Sequence, residues 1–164
     1  MKFSARVLAL CCAMALATPV FADGQRLETR YFPGPNLELN GRWLETNPRL
    51  GMDPARLNSF VAQSTFTELQ ITIPPAYVGK NVSIHVFVPL MVQGMQQASG
   101  MEVEWRTQGV LLAGKMRPGE RALLYRGPVT SALLRDRIMY SFIIDARHVN
   151  GPIRFEPEYE ISEK

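Results

Sequence analysis

The chain has 164 residues, of which 46% are hydrophobic, with 18 basic and 15 acidic side chains and two cysteines, Cys11 and Cys12. That length suits one ordinary domain with a real core. The charge balance lacks the strong basic excess of nucleic-acid-binding proteins, so nucleic acid is excluded as the expected partner.

Residues 1–22 read as a secretory signal peptide. Lys2 and Arg6 supply a positive start, residues 7–16 are an apolar run, and Val20-Phe21-Ala22 fits the small-x-Ala cleavage rule. The run is about half of the twenty or so residues a membrane-spanning helix needs. Leu10, preceding Cys11, is not the small residue that lipidation of a cysteine requires. Cleavage after Ala22 would leave 142 of the 164 residues, beginning at Asp23, in the periplasm or the medium. Losing Lys2 and Arg6 takes the balance to 16 basic against 15 acidic groups, and losing both cysteines rules out disulfides, thiol nucleophiles and Cys-rich metal sites.

Residues 23–36 are polar and carry Pro33, Gly34 and Pro35, which predicts an extended leader without regular structure. Residues 37–39 and 42–45 alternate around Gly41 as a first strand or hairpin, and 46–51 form a loop. Asp53 as N-cap, Pro54 in the first turn, and Leu57, Phe60 and Val61 at helical spacing predict one short helix over 54–63.

From residue 65 the period becomes two. Leu69, Ile71 and Ile73 alternate with Glu68, Gln70 and Thr72; Val82, Ile84, Val86 and Val88 with Ser83, His85 and Phe87; Met101, Val103 and Trp105 with Glu102, Glu104 and Arg106. Strands at 110–113 and 122–125 flank Arg117-Pro118-Gly119-Glu120, whose Pro-Gly pair suits a tight hairpin turn. Ile138, Tyr140, Phe142 and Ile144 mark a central strand, since Met139 and Ile143 are apolar on its other face. Asn150-Gly151-Pro152 reads as a turn into a last strand, 153–161, placed at an edge by Pro157. Seven or eight short strands without alternating helices predict an all-β fold. The expected form is an antiparallel sandwich of immunoglobulin-like or jelly-roll-like kind over 37–164, with a small β-barrel as the alternative.

Chemistry is harder to find. His85 and His148 are the two imidazoles. His148 follows Asp145 closely enough for a carboxylate to orient its ring, which makes the two a weak catalytic pair for a small hydrolase. Met91, Met95 and Met101 near His85 raise a copper reading, but their spacing matches no metal motif and packing in a loop is the favoured explanation, so no metal or cofactor is expected. Glu156, Glu158 and Glu160 share one strand face and read as solvated charge that discourages edge pairing. Trp105 is in phase with core residues, whereas Trp43 could sit on a sugar- or peptide-binding surface.

Arg117, Arg121 and Arg126 lie in a segment with few acids. Arginine offers paired donors to carboxylates or phosphates, so these residues and Trp43 are the candidate binding positions for an anionic partner. The competing account pairs the arginines with Glu156, Glu158 and Glu160 across a sheet. The expectation is an exported, non-enzymatic accessory or binding domain of the cell envelope that contacts another envelope protein, a glycan or an anionic surface polymer. A periplasmic inhibitor or immunity-type protein using residues 90–100 as a plug is the second reading, and the hydrolase of His148 and Asp145 the third.

Overall fold

Period-two alternation builds the molecule. The computed structural model describes residues 24–32, 39–43 and 58–164, with side chains throughout except in 39–43. Residues 1–22, read above as a signal peptide, Pro33 to Pro35 and the predicted N-cap at Asp53 lie outside these residues.

The first sheet runs in the order β1 (Gln25–Arg26), β13 (Glu158–Glu163), β6 (Asn81–Phe87), β10 (Arg121–Pro128), with every pair antiparallel. The second is arranged about the longest strand, β11 (Leu133–Asp145). Along one edge of β11, β4 (Ser59–Ser64) and β5 (Thr67–Thr72) pair in succession, and along the other lies β8 (Met101–Thr107), followed by β9 (Gly114–Met116). Beyond β4 and β5 come β3 (Leu39–Trp43) and β2 (Glu28–Phe32). A separate ribbon joins β7 (Gln93–Met95) to β12 (Val149–Arg154). The architecture is an antiparallel β-sandwich, and the described strands form no closed barrel.

Val82, Ile84, Val86, Tyr159 and Ile161 from the first sheet and Leu69, Ile71, Val103, Trp105, Ile138, Tyr140, Phe142 and Ile144 from the second fill the core. The core closes on a polar device that joins the sheets. The hydroxyls of Tyr31 (β2), Tyr140 (β11) and Tyr159 (β13) form a triangle with sides of 2.5, 2.7 and 3.2 Å. Each hydroxyl can donate once and accept once around such a ring, so three buried polar groups satisfy one another without water. Burial pushes all three phenols above their ordinary pKa, Tyr140 and Tyr159 well above it.

Several expectations are corrected. Residues 59–63, placed in the helix of 54–63, are strand β4, while 54–57 lie outside the described residues. The i, i+3, i+4 spacing of Leu57, Phe60 and Val61 is a local signal. It is overridden because residues 59–64 supply the edge that β11 needs from Ser141 to Asp145. Three residues then oppose two, a β-bulge, before pairing resumes at Thr67 and Ile138. Ser64 Oγ accepts from the Tyr140 amide at 2.9 Å, satisfying a donor that the bulge strips from the ladder.

The extended leader is also paired. β1 joins the first sheet and β2 the second, and buried Leu27 between them donates its amide to the Tyr159 carbonyl at 2.8 Å. The chain thus changes sheets within three residues, which a polar, proline-flanked stretch does not reveal. The Pro-Gly turn is tight, with Gly119 at φ +87° and the Glu120 amide on the Arg117 carbonyl at 3.0 Å. It makes no hairpin, however, because it carries the chain from β9 in the second sheet to β10 in the first. Residues 110–113 form no strand, since their place beside β8 is taken by β9. Gly114 is what admits β9 there: a Cβ at that position would lie 2.6 Å from the Trp105 ring.

Asn150-Gly151-Pro152 belongs to β12, and the reversal before it is a single 3-10 turn, Ala146–His148. β13 is flanked by β1 and β6, so it is an interior strand over Glu160 and Ile161, and Pro157 precedes it.

One acid is structural. Asp136 is 6% exposed, and its carboxylate accepts from the Leu111 amide at 2.7 Å and the Arg137 amide at 2.6 Å. It latches the 108–113 loop over the core, where Trp105 Nε1 also donates to the Leu112 carbonyl at 2.8 Å. Asp136→Ala is expected to cost about 1–3 kcal/mol in a denaturant melt, because the buried Leu111 amide is left unsatisfied. A neutral effect would show the loop held by other contacts.

Candidate binding surface

The sequence-predicted residues fall in three places. Asp145 and His148 flank the 3-10 turn after β11. The Asp145 carboxylate takes Arg147 in a bidentate grip, Nη2 to Oδ2 at 2.6 Å and Nε to Oδ1 at 3.0 Å, and also accepts the Arg147 amide at 3.0 Å. That bonding holds its pKa at about 2, chiefly through the Arg147 side chain. His148 Nε2 stands 3.9 Å from Oδ2, beyond hydrogen-bond distance. The carboxylate is therefore committed to a guanidinium and does not orient the imidazole. In Arg147→Ala, the Asp145 carboxyl is expected to titrate nearer its ordinary value. A carboxyl resonance that still moves near pH 2 would show that another group holds it down.

Arg121 lies on the outer face of the first sheet. It sits 3.4 Å from Glu160 and donates to His85 Nδ1 at 3.2 Å. Desolvation, then the Arg121 charge, lowers the His85 pKa, so a neutral ring accepting from Arg121 is consistent at pH 7. Arg26 pairs with Glu158 at 2.8 Å on the same face. Arg126 is exposed opposite Ser83, with no ion pair among the described residues. Trp43 occupies the β3 position opposite Phe60. Arg117 and Arg121 thus belong to different surfaces, because the turn between them crosses from one sheet to the other.

Arg117 joins Asp145 instead. The outward residues of β11 are Arg135, Arg137, Met139, Ser141, Ile143 and Asp145, alternating with buried Asp136, Ile138, Tyr140, Phe142 and Ile144. At the Asp145 end, an open cleft of about 260 Å³ is lined by Ser59, Ser99, Glu102, Arg117, Asp145 and Arg147, floored by Gly100, Met101 and Ile143. Arg117 Nε is 3.8 Å from Glu102 Oε2, a loose pair with the arginine side chain 63% exposed. The Asp145–Arg147 pair is tight and forms a fixed wall.

Comparison with protein families, curated proteins and solved structures finds no match for this chain. The cleft holds four charged side chains, two of each sign. Its rigid half is the Asp145–Arg147 grip, and its adaptable half is Arg117, which can exchange a weak partner for a ligand carboxylate or phosphate. Sequence reasoning missed Glu102, Arg147, Ser59 and Ser99. The one signal that could have found Glu102 is the outward phase of β8, where it alternates with Met101 and Val103.

Proposed function

We propose that the protein is an exported, non-enzymatic binding module of the cell envelope, which contacts another envelope protein, a glycan or a surface polymer through the outer face of its second sheet. The observation supporting this reading is the cleft in which Arg117 faces solvent beside a fixed Asp145–Arg147 pair. A guanidinium whose present partner is 3.8 Å away loses little by exchanging it, so it is suited to capture an external anion. The commitment of Asp145 to Arg147 argues against the hydrolase reading, and the pattern of residues 1–22 supports export.

The test expresses the full chain with a C-terminal tag in its host, cross-links it to envelope partners and captures it at low and moderate salt. Arg117→Ala is expected to lose capture with little change in melting temperature, whereas Arg121→Ala should keep capture and melt slightly earlier. Unchanged capture by Arg117→Ala would remove the cleft from the reading. Retention of the uncleaved chain in the cytoplasm would overturn the export.

A second reading has one observation in its favour. Leu90 and Met91 are 59% and 81% exposed on a loop held at its far end by the β7–β12 ribbon, a protrusion suited to plugging another protein's cleft. Leu90→Asp with Met91→Asp would abolish capture if inhibition is the activity, and leave it intact if the cleft acts.

A further inference from the structure

The strongest unassigned feature is the far end of the same sheet face, away from the cleft. There the register lays outward side chains in rows across the second sheet. Arg30, Gln70 and Arg135 stand opposite one another on β2, β5 and β11, and Phe32, Glu68 and Arg137 form the next row. Met139 and Arg106 follow on β11 and β8. Arg135 and Arg137 are about 7 Å apart along β11, and Arg30 is about 10 Å from Arg135 across two strand spacings. Arg106 lies diagonally beside Arg137 on the neighbouring strand.

These cations are not paired with acids as Arg26 and Arg121 of the first sheet are. Among the described residues, Arg106, Arg135 and Arg137 have no acidic partner within 4.0 Å, and Arg30 has only an exposed contact with Glu28 at 3.1 Å. Arg137 lies over the Phe66 ring at 5.8 Å from its centroid, which leaves its N–H edge to be directed elsewhere. The segment with few acids noted in the sequence therefore resolves into two parts. Its middle is partly compensated by Glu102 and Glu160, whereas its ends, Arg106 and Arg135 to Arg137, meet on one open face.

We infer that this face, formed by Arg106, Arg135 and Arg137 with Arg30 at its margin, binds an anionic polysaccharide carrying carboxylates spaced along a hydroxyl-rich chain. The inference rests on the reading of the protein as a binding module and names the partner class. Charge complementarity selects an anion, and the interleaved groups select its kind. Glu68 lies between Phe32 and Arg137, and Gln70, which donates to Glu68 at 2.7 Å, lies between Arg30 and Arg135. A more densely charged polymer, such as duplex nucleic acid with one charge per about 1.7 Å of helix axis counting both strands, would press phosphates on the Glu68 carboxylate. A polyuronate sets its carboxylates farther apart and offers hydroxyls that Glu68 and Gln70 can bond. The three arginines supply paired donors to the carboxylates.

The experiment measures binding of polygalacturonate to protein purified after expression of the full chain, with neutral dextran, polyphosphate and phosphatidylglycerol vesicles alongside. Wild type is expected to bind polygalacturonate but not dextran, more weakly as salt screens the contacts over about 8–10 Å. R106Q, R135Q and R137Q should each weaken binding roughly two- to fivefold, and the triple variant tenfold or more, with the β spectrum unchanged. R121Q, on the other sheet, should bind as wild type does. Absence of polygalacturonate binding by wild type, full affinity in the triple variant, or a preference for polyphosphate or vesicles would each overturn the inference. Loss of envelope capture in Arg117→Ala together with unchanged polygalacturonate affinity in the triple variant would leave the binding-module reading standing and remove this one alone.

Discussion

Phe142→Ala is expected to cost about 3–5 kcal/mol in equilibrium unfolding, while Glu158→Ala costs less than about 0.5 kcal/mol. Phe142 is 2% exposed on β11, with β4 paired along one edge of its strand and β8 along the other. Its ring lies 4.7 Å from Phe155 in an edge contact and 6.1 Å from Tyr140 in a stacked one. A backbone paired on both sides cannot move in to fill the void, so the lost transfer energy and the cavity add. Glu158 has a partner in Arg26, but that arginine side chain is 72% exposed, and solvent screens the pair. Denaturant melts monitored by the β signal measure both changes. Equal effects would place the core elsewhere.

The second large effect is alkaline. In the unfolded chain a phenol ionises near pH 10, whereas in the folded protein Tyr31, Tyr140 and Tyr159 hold their protons to higher pH. Above about pH 10 the folded state therefore binds more protons than the unfolded one, and raising the pH favours unfolding. The triangle's contribution is fully present below about pH 10 and is lost as pH climbs through the raised values. Because the hydroxyls tie β2 and β11 to β13, their ionisation places negative charges in contact between the sheets. Phenolate absorbance from these three residues should appear only as the β spectrum collapses, and Tyr140→Phe should lower stability at neutral pH by about 1–2 kcal/mol. Full phenolate signal with the β spectrum intact would show the triangle open to water.

The fold class was legible because burial on one side of a strand writes itself into alternate residues. Leu69 and Ile71, Val82 to Val88 and Ile138 to Ile144 are buried in the phase their spacing predicts. Where a segment owes its form to a distant partner, the local pattern misleads. Residues 59–63 carry a helical spacing but are strand because β11 runs beside them, and residues 25–32 look like a leader but pair in both sheets. The tyrosine triangle was invisible for the same reason, since its hydroxyls come from residues 31, 140 and 159.

The candidate site shows the same division. That arginines outnumber acids from residue 105 to 137 is a property of composition, and it points to an anion without any structure. Which arginines are free to meet that anion depends on what stands across the sheet. Arg121 meets Glu160 because β10 and β13 both pair with β6, and Arg117 meets Glu102 because the Pro-Gly turn leaves from the second sheet. Alternation is a local consequence of the strand's pleat, so the sequence by itself determined an all-β fold class and, in the strands it marked by alternation, which side chains go in or out. Register, sheet assignment and charge pairing join residues far apart in the chain, and only the tertiary structure decided them.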